Sequence, residues 1–497
     1  MTISRRNFLC TAAAVRPAPA RTDWPEDIFF ASVTELNARL RKKEFSSLEL
    51  TRAFCDRLEK IGPRYRALSL LLREDALKTA READEEIRRE RFRGPLQGVP
   101  FGAKDLLSVA GKVTTWGARP FANQVFDYTA TVLTRLARVK APLLGKLAMV
   151  ELAGGPNYGS PAASMTGACL NPWNINHWAG GSSSGCGAAV AAGLAPWAIG
   201  TETSGSILTP AAFCGLTGLR PTYGLVSRYG AMELSASLDK IGPMCRSAVD
   251  CGHALAVMAG GDSKDPSSAG KSFYFAPQFV RPFAQLTIGY APVDFEVWAA
   301  EDIRPALQQG LEAIRSLGAK LVEKKLPPLP VAAVRHLIQA EAAFNFRQLI
   351  ESGQVDQLDD AQQIDALKKS LQVSAADYLK AKQQQREIRE AFERLFFEVD
   401  VLLCPARLTV ANKNEPFPQG GSDRAAEDRG NSAIIPLSNA AGVPAICFPC
   451  GFAGGLPVGL QLVGRWFSEN TLLALAAEFQ RRTDWHRRRP PVPAKWR

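Results

Sequence analysis

Three short stretches hold the residues best placed to do chemistry. Gly98-Val99-Pro100-Phe101-Gly102-Ala103-Lys104-Asp105 is a strand-like approach in which a lysine follows small and apolar residues. Gly180-Gly181-Ser182-Ser183-Ser184-Gly185 runs into an Ala-rich helical segment, Ala188–Ala192, that stops near Gly193. Gly200-Thr201-Glu202-Thr203-Ser204-Gly205-Ser206-Ile207 precedes Thr209-Pro210, which reads as an N-cap and first helical position. Singly, each has an ordinary structural reading: a surface lysine, a Gly/Ser loop or phosphate cradle, a capping serine. The second stretch lacks the Gly-Lys-Ser/Thr ending of a P-loop. Histidine chemistry has little to draw on, because only His177, His253, His336 and His486 exist and none lies in a His-Glu-x-x-His or comparable motif. Any chemistry at neutral pH must come from other side chains.

The flanking patterns predict the elements that carry these residues. From Ala31 to Ile61, Leu36, Leu40, Leu48, Leu50, Phe54 and Leu58 recur at helical spacing among charged residues. Ser46-Ser47-Leu48-Glu49 interrupts that pattern as a cap and restart, which predicts a helical hairpin. Residues 73–92 read as a solvated helix of acid–base neighbours. Glu301 to Leu317 reads as an amphipathic helix followed by the strand-like Ala319–Glu323, and residues 331–397 as helical outer cover without chemistry of its own. The polar run 411–430, with Gln419-Gly420-Gly421-Ser422, reads as a surface loop.

Two segments depart from this. Between Leu152 and Leu219 the one formally charged side chain is Glu202, where average usage would place about 15. From Gly430 to Gly464 there is none. Their Gly, Ser, Pro and Ala content excludes membrane spans and predicts packed loops, short strands and short helices, where backbone N–H groups can approach a ligand closely. No fixed-period repeat and no clear linker divides the chain, so residues 22–485 read as one large α/β domain between a leader, 1–21, and a basic tail, 486–497.

With 497 residues, 46% of them apolar and 22% charged, the chain is neither disordered, collagenous nor a disulfide-stapled miniprotein. The net charge of +11 lies almost wholly at the ends: Arg5, Arg6, Arg16 and Arg21 without an acid in 1–21, and seven basic residues against Asp484 in 481–497. The body is nearly neutral, which excludes a basic nucleic-acid groove across it. Ser4-Arg5-Arg6-Asn7-Phe8-Leu9, the apolar run to Val15 and Ala18-Pro19-Ala20 resemble a short twin-arginine export signal, implying a periplasmic protein; the bland reading is a basic terminus of a cytoplasmic one. Beyond that leader no segment could span a bilayer. The ten cysteines are irregularly spaced in apolar surroundings and read as buried free thiols; Cys447-Phe448-Pro449-Cys450 lacks the second pair a zinc site needs.

In order along the chain, the three stretches resemble the amidase signature family. Asn171-Pro172-Trp173-Asn174 leads to Gly180-Gly181-Ser182-Ser183, then come Gly200-Thr201, Gly205-Ser206-Ile207, Pro210-Ala211, Phe213-Cys214-Gly215 and Gly218-Leu219-Arg220-Pro221-Thr222. Gly94-Pro95-Leu96-Gln97-Gly98-Val99-Pro100 with Lys104-Asp105 matches the family's lysine motif upstream. Ser237-Leu238-Asp239-Lys240-Ile241-Gly242-Pro243 and Gly455-Leu456-Pro457-Val458-Gly459-Leu460-Gln461 match later blocks. The resemblance spans roughly residues 30–480 and implies a mixed central sheet covered by helices in an α/β/α domain.

It also implies roles. Lys104 would be the base, Ser182 a bridging serine held by a cis peptide, Ser206 the nucleophile, and the N–H groups of Thr203, Ser204, Gly205 and Ser206 the oxyanion hole. A free lysine amine titrates near pH 10.4, but burial among neutral groups lowers that value by up to several units. A neutral Lys104 could then draw a proton through Ser182 from Ser206, whose oxygen attacks an amide carbonyl. No metal or organic cofactor is implied; the partner is a small-molecule amide, with specificity set by variable segments 155–170, 331–352 and 405–432. Three departures stand out: Glu202 for the usual Asp, Ser204 for Gly, and Leu208 for the usual Arg. Glu202 is thus expected to have lost its arginine, and either to be neutral or to find backbone donors. The leading expectation is an amidase that forms a Ser206 acyl-enzyme. Its alternatives are the amidase component of the glutamine-dependent tRNA amidotransferase, and a catalytically silent scaffold.

Overall fold

A computed structural model of the chain describes residues 24–417 and 430–491. The leader, the Gln419–Ser422 stretch and the last six residues lie outside the described residues, and with them the export reading and Cys10.

In chain order the strands are β1 (Leu68–Leu71), β2 (Phe101–Lys104), β3 (Leu143–Leu147), β4 (Leu170–Asn171), β5 (Asn174–Trp178), β6 (Ala198–Glu202) and β7 (Thr217–Arg220). They continue as β8 (Lys240–Cys245), β9 (Thr287–Tyr290), β10 (Lys320–Glu323), β11 (Val401–Pro405), β12 (Ala445–Ala453) and β13 (Leu456–Gly464). β4 and β5 pair as a small ribbon; the other eleven form one sheet in the order β1-β3-β2-β6-β8-β7-β12-β13-β11-β9-β10. The sheet is mixed, as expected: β1 edges it antiparallel to β3, then β3, β2 and β6 run parallel, as do β11, β9 and β10 at the other end, with antiparallel pairs between the two parallel runs. Its central strands are buried along their whole length, so they read in the sequence as charge-poor runs rather than as alternating ones.

The predicted helical hairpin forms as Val33–Arg41 and Ser47–Tyr65. Ser32 and Ser46 each accept a hydrogen bond from the N–H three residues on, while Glu35 and Glu49 reach back to the cap N–H, so both helices start on capping boxes. The charged helix is Arg73–Arg88 and the amphipathic one Arg304–Ser316. One boundary differs from expectation. The helix after the third stretch runs Leu208–Cys214, with Ile207 at its cap, which places Thr209 and Pro210 inside the first turn. Its orphan N–H groups are met by a carboxylate instead of a hydroxyl.

The nine described cysteines are all buried and unbridged. Among the described residues no helix is long and apolar enough to cross a membrane. The start of the basic tail is folded onto the body. Trp485 stacks on Phe479 at 5.8 Å, and Arg489 lies 4.9 Å from the centre of the Phe30 ring, which also receives Arg246 at 4.6 Å.

Candidate active site

Parallel pairing explains how residues far apart in sequence meet. β2 and β6 are neighbours in register Gly102↔Ala198 and Ala103↔Ile199, so their C-terminal ends, Lys104 and Thr201-Glu202, emerge at the same sheet edge. Open α/β sheets place ligands at such strand ends. Phe101 and Trp197 stack at 4.8 Å beneath, a fully buried pair that fixes the approach of both strands. Lys104 is completely buried. Its Nζ hydrogen-bonds Ser182 Oγ at 2.7 Å and Thr201 Oγ1 at 2.9 Å. Burial pulls the amine down to about 7, against weaker upward pulls from Cys186, Asp239 and Glu202.

The serine loop is tied to both strands. The peptide between Gly181 and Ser182 is cis. Ser182 O accepts from Val150 N at 3.1 Å, just beyond β3, and Ser183 Oγ both donates to Thr201 O at 3.1 Å and accepts from Thr201 N at 3.2 Å. The tight fit needs glycine at position 180: its φ is +85°, and a Cβ there would sit 2.7 Å from Pro210 Cα. Ser183 N donates to Ser206 O at 3.2 Å, which brings the second and third stretches side by side. Ser182 is 1% exposed and Ser206 8% exposed. Lys104, Ser182 and Ser206 therefore converge; among the described residues the hydrogen bond of Ser182 Oγ is to Lys104, and none closes to the Ser206 hydroxyl.

The expectation that Glu202 lacks a cation is corrected. Arg220, from β7, donates to Glu202 Oε1 at 3.0 Å with both side chains fully buried. Asn439 Nδ2 donates to the same oxygen at 2.8 Å, and the N–H groups of Ile207 and Leu208 donate to Oε2 at 2.8 and 2.9 Å. Burial pushes this carboxyl up, but Arg220, Asn439 and the two N–H groups outweigh it and hold Glu202 below the ordinary range, ionised. The arginine expected at position 208 is replaced from a different strand, and Leu208 is free to be apolar. Arg220 is anchored in turn to Ser438 Oγ and Val443 O. Ser204 is absent from the positive-φ residues, so the serine costs the loop nothing; Gly205, at φ +96°, is where glycine is required. Thr203 Oγ1 donates to Asp239 at 2.5 Å, pinning the start of the loop.

Thr203, Ser204 and Ser206 line a cleft of about 910 Å³, along with Gly181. Its walls come from all three variable segments: Pro156 to Tyr158 from the first, Val331 to Gln339 from the second, and Arg407, Asn412 and Phe417 from the third. The stretch 331–397 is thus more than outer cover. Helix Ala332–Asn345 supplies Arg335, His336 and Gln339 to the cleft, and its Glu341 accepts hydrogen bonds from Ser235, Ser237 and Tyr378. The turn Leu152–Gly155 runs through left-handed φ values of 48°, 57°, 97° and 51°, and three of those four residues line the cleft. Thr201, Arg220, Asp239 and Asn439 belong to the site without having been assigned a role in it. The first three stand inside the motif blocks quoted above, so position is their signal; Asn439 carries none. Among the described residues no group of His, Cys, Asp and Glu could hold a metal ion.

Fold and site together define an α/β protein whose buried lysine meets two serine-bearing loops at the edge of a mixed sheet. The sequence matches the Amidase family over residues 49–473, and the chain belongs to that family, the amidase signature enzymes. It is 38% identical to the A-subunit of glutamyl-tRNA(Gln) amidotransferase from Dechloromonas aromatica (strain RCB) over 93% of this chain and 99% of that protein. Among solved structures it is similar to native peptide amidase from Stenotrophomonas maltophilia, at 31% identity and TM-score 0.79 over 93% of this chain and 98% of that one. It is also similar to the A-subunit of glutamyl-tRNA(Gln) amidotransferase from Thermotoga maritima, at 26% identity and TM-score 0.75 over 92% and 96%.

Proposed function

We propose that the protein cleaves a carboxylic amide C–N bond through a Ser206 acyl-enzyme, and that it does so as an amidotransferase A-subunit of the kind its relatives are named for. The observation that carries the chemistry is the buried Lys104–Ser182 pair, 2.7 Å apart and opening through Ser206 onto the cleft. Lys104, in the neutral form that its lowered value makes accessible near neutral pH, accepts the Ser182 proton while Ser182 accepts that of Ser206. The Ser206 oxygen adds to the carbonyl carbon, and the N–H groups of Thr203, Ser204, Gly205 and Ser206 receive the oxyanion. The proton returns through Ser182 to the leaving nitrogen, the C–N bond breaks, and ammonia or an amine departs. Water then hydrolyses the ester and releases the acid.

Near-complete coverage of proteins named as the glutamyl-tRNA(Gln) amidotransferase A-subunit supports glutamine as the amide, with its ammonia passed to partner subunits. A second reading, a free-standing and exported amidase, is favoured by the twin-arginine-like leader at residues 1–21 and by the likeness to peptide amidase. Ammonia release from glutamine by the isolated chain, compared with the chain co-expressed with tRNA-binding subunits from its source, tests the first reading. Activation and co-purification support it. Hydrolysis of other amides by the chain alone, with no complex formed, supports the second. In both, Ser206→Ala and Lys104→Ala abolish turnover in a folded protein and Ser206→Ala abolishes labelling by a fluorophosphonate. Full turnover in Ser206→Ala sinks the acyl-enzyme, and a wild-type chain that neither labels nor turns over points to a silent scaffold.

A further inference from the structure

A buried carboxylate sits one helical turn beyond the cleft. Val334, Ile338 and Glu341 stand at i, i+4 and i+7 on the helix Ala332–Asn345, so they share a face. Val334 and Ile338 line the cleft, whereas Glu341 does not. It is 7% exposed. Its hydrogen-bond partners among the described residues are neutral donors: the hydroxyls of Ser235 and Ser237, Ser237 N at 3.1 Å and the Tyr378 hydroxyl at 3.1 Å. Lys382 lies near enough to feel its charge but donates to Gln385 instead. With every partner a donor, Glu341 acts here only as an acceptor and dictates where those hydrogens point. Glutamine in its place would set an NH2 against donors.

The turn that Glu341 grips also holds the nucleophile loop. Leu238 N and Asp239 N donate to Ser235 O at 3.1 and 3.0 Å, and Asp239 Oδ2 accepts from the N–H groups of Leu234 and Ser235 at 2.8 and 2.9 Å. Asp239 Oδ1 accepts from the hydroxyl of Thr203, the residue with which the loop leaves β6. Residues 234–239 are thus clamped between two carboxylates, Glu341 on the helix side and Asp239 on the loop side. Ser235, fully buried, belongs to both: its N–H goes to Asp239 and its hydroxyl to Glu341. The far end of the loop is anchored separately, by Glu202 on the N–H groups of Ile207 and Leu208. The side chain of Thr203 has Asp239 as its anchor.

We propose that Glu341 is a positioning residue for the oxyanion hole: through Ser235 and Asp239 it fixes Thr203, the first of the four residues whose N–H groups receive the oxyanion. This rests on the Ser206 acyl-enzyme reading and adds to it a source of the hole's rigidity, the helix that walls the cleft. A hole that is loosened rather than removed stabilises the transition state less and leaves binding of the uncharged ground state unchanged. Loss of Glu341 therefore slows the chemical step selectively.

The test is inactivation by a fluorophosphonate, in which Ser206 Oγ bonds to phosphorus, fluoride leaves, and the phosphoryl oxygen takes the place of the oxyanion. Rates over a range of reagent concentrations separate KI from kinact. Glu341→Gln should lower kinact about tenfold and leave KI within about twofold. Thr203→Val, which keeps the N–H and removes the hydroxyl, should do the same, and Thr203→Ser should restore most of the rate. The double variant should fall no further than the lower single one, because both cut one chain of bonds. Asp250→Asn is the structural comparison: its carboxylate, 1% exposed, accepts from Val33 N and from the N–H and hydroxyl of Thr34, none of them in the cleft. It should lower stability in urea and leave kinact at the wild-type value. If Glu341→Gln does not fold, Ser235→Ala cuts the link to Glu341, keeps the N–H to Asp239 and gives the same readout. Wild-type kinact in the folded variants, a change confined to KI, additive falls in the double variant, or an equal fall in Asp250→Asn would each overturn the role. Failure of the underlying reading looks different: a wild-type chain that does not label at Ser206 overturns the acyl-enzyme and the positioning role together, whereas a labelling wild type with unaltered variants removes the positioning role alone.

Discussion

A lysine that must be neutral to take a proton leaves a pH signature. Lys104 is drawn down to about 7 by desolvation, so the protonated, incompetent amine predominates below that value and the free amine above it. The expected profile of kcat/KM therefore rises about tenfold per pH unit on the acid side and levels off above about 7. Pre-steady-state acylation measured from pH 5 to 9 checks this, and a flat profile would remove Lys104 as the base. Thr201 shares the amine and should tune this value. Its hydroxyl sits 2.9 Å from Nζ, and Thr201→Val should move the inflection by a fraction of a unit while Ser206 still labels. That second hydrogen bond is not legible in the sequence, because it arises from strand pairing between residues almost a hundred positions apart.

Among the elements, the nucleophile loop is held by an ion pair that crosses from β6 to β7. Removing one partner of a buried pair leaves a bare charge, so Arg220→Met should cost about 3–5 kcal/mol in urea unfolding. Combining it with Glu202→Gln should cost less than the two single losses added together, since the charges vanish together. Additive losses would mean that Glu202 is carried by Asn439 and the helix N–H groups instead. This knot shows where sequence reading stops. Compared with the motif position by position, Leu208 looks like a lost cation. The cation is present twelve residues later, in Gly218-Leu219-Arg220, where the register of two strands rather than the spacing along one makes it a partner. Capping boxes are legible because both halves lie within four residues, as at Ser46 and Glu49. The start of the helix at Leu208 is misplaced for the opposite reason: its cap is the Glu202 carboxylate, from the preceding strand.

For the whole molecule, the charge-poor segments point to a site, and they do form its floor. The walls come from charged, variable segments whose pattern reads as solvated helix and loop. Periodicity reports which face of a helix is polar, and Arg335 satisfies it equally well whether that face meets bulk water or a cleft. The class of the fold and the position of Lys104, Ser182 and Ser206 are readable; the substrate-facing arginines need the tertiary arrangement.

The stacking of Arg489 and Arg246 on Phe30 has a topological consequence. It brings the last described turn of the chain beside the first, so the described polypeptide is nearly a closed ring. A circular permutant that joins residue 491 to residue 24 through a short Gly/Ser linker and opens in the exposed coil at residues 270–272 should fold, keep the Ser206 site and label with a fluorophosphonate at the wild-type rate. Loss of labelling in a folded permutant would show that this segment must stay continuous for the nucleophile to react. Peeling Arg489 off Phe30 by Phe30→Ala should loosen both ends at once, making them proteolysed together while the distant sheet edge keeps its reactivity.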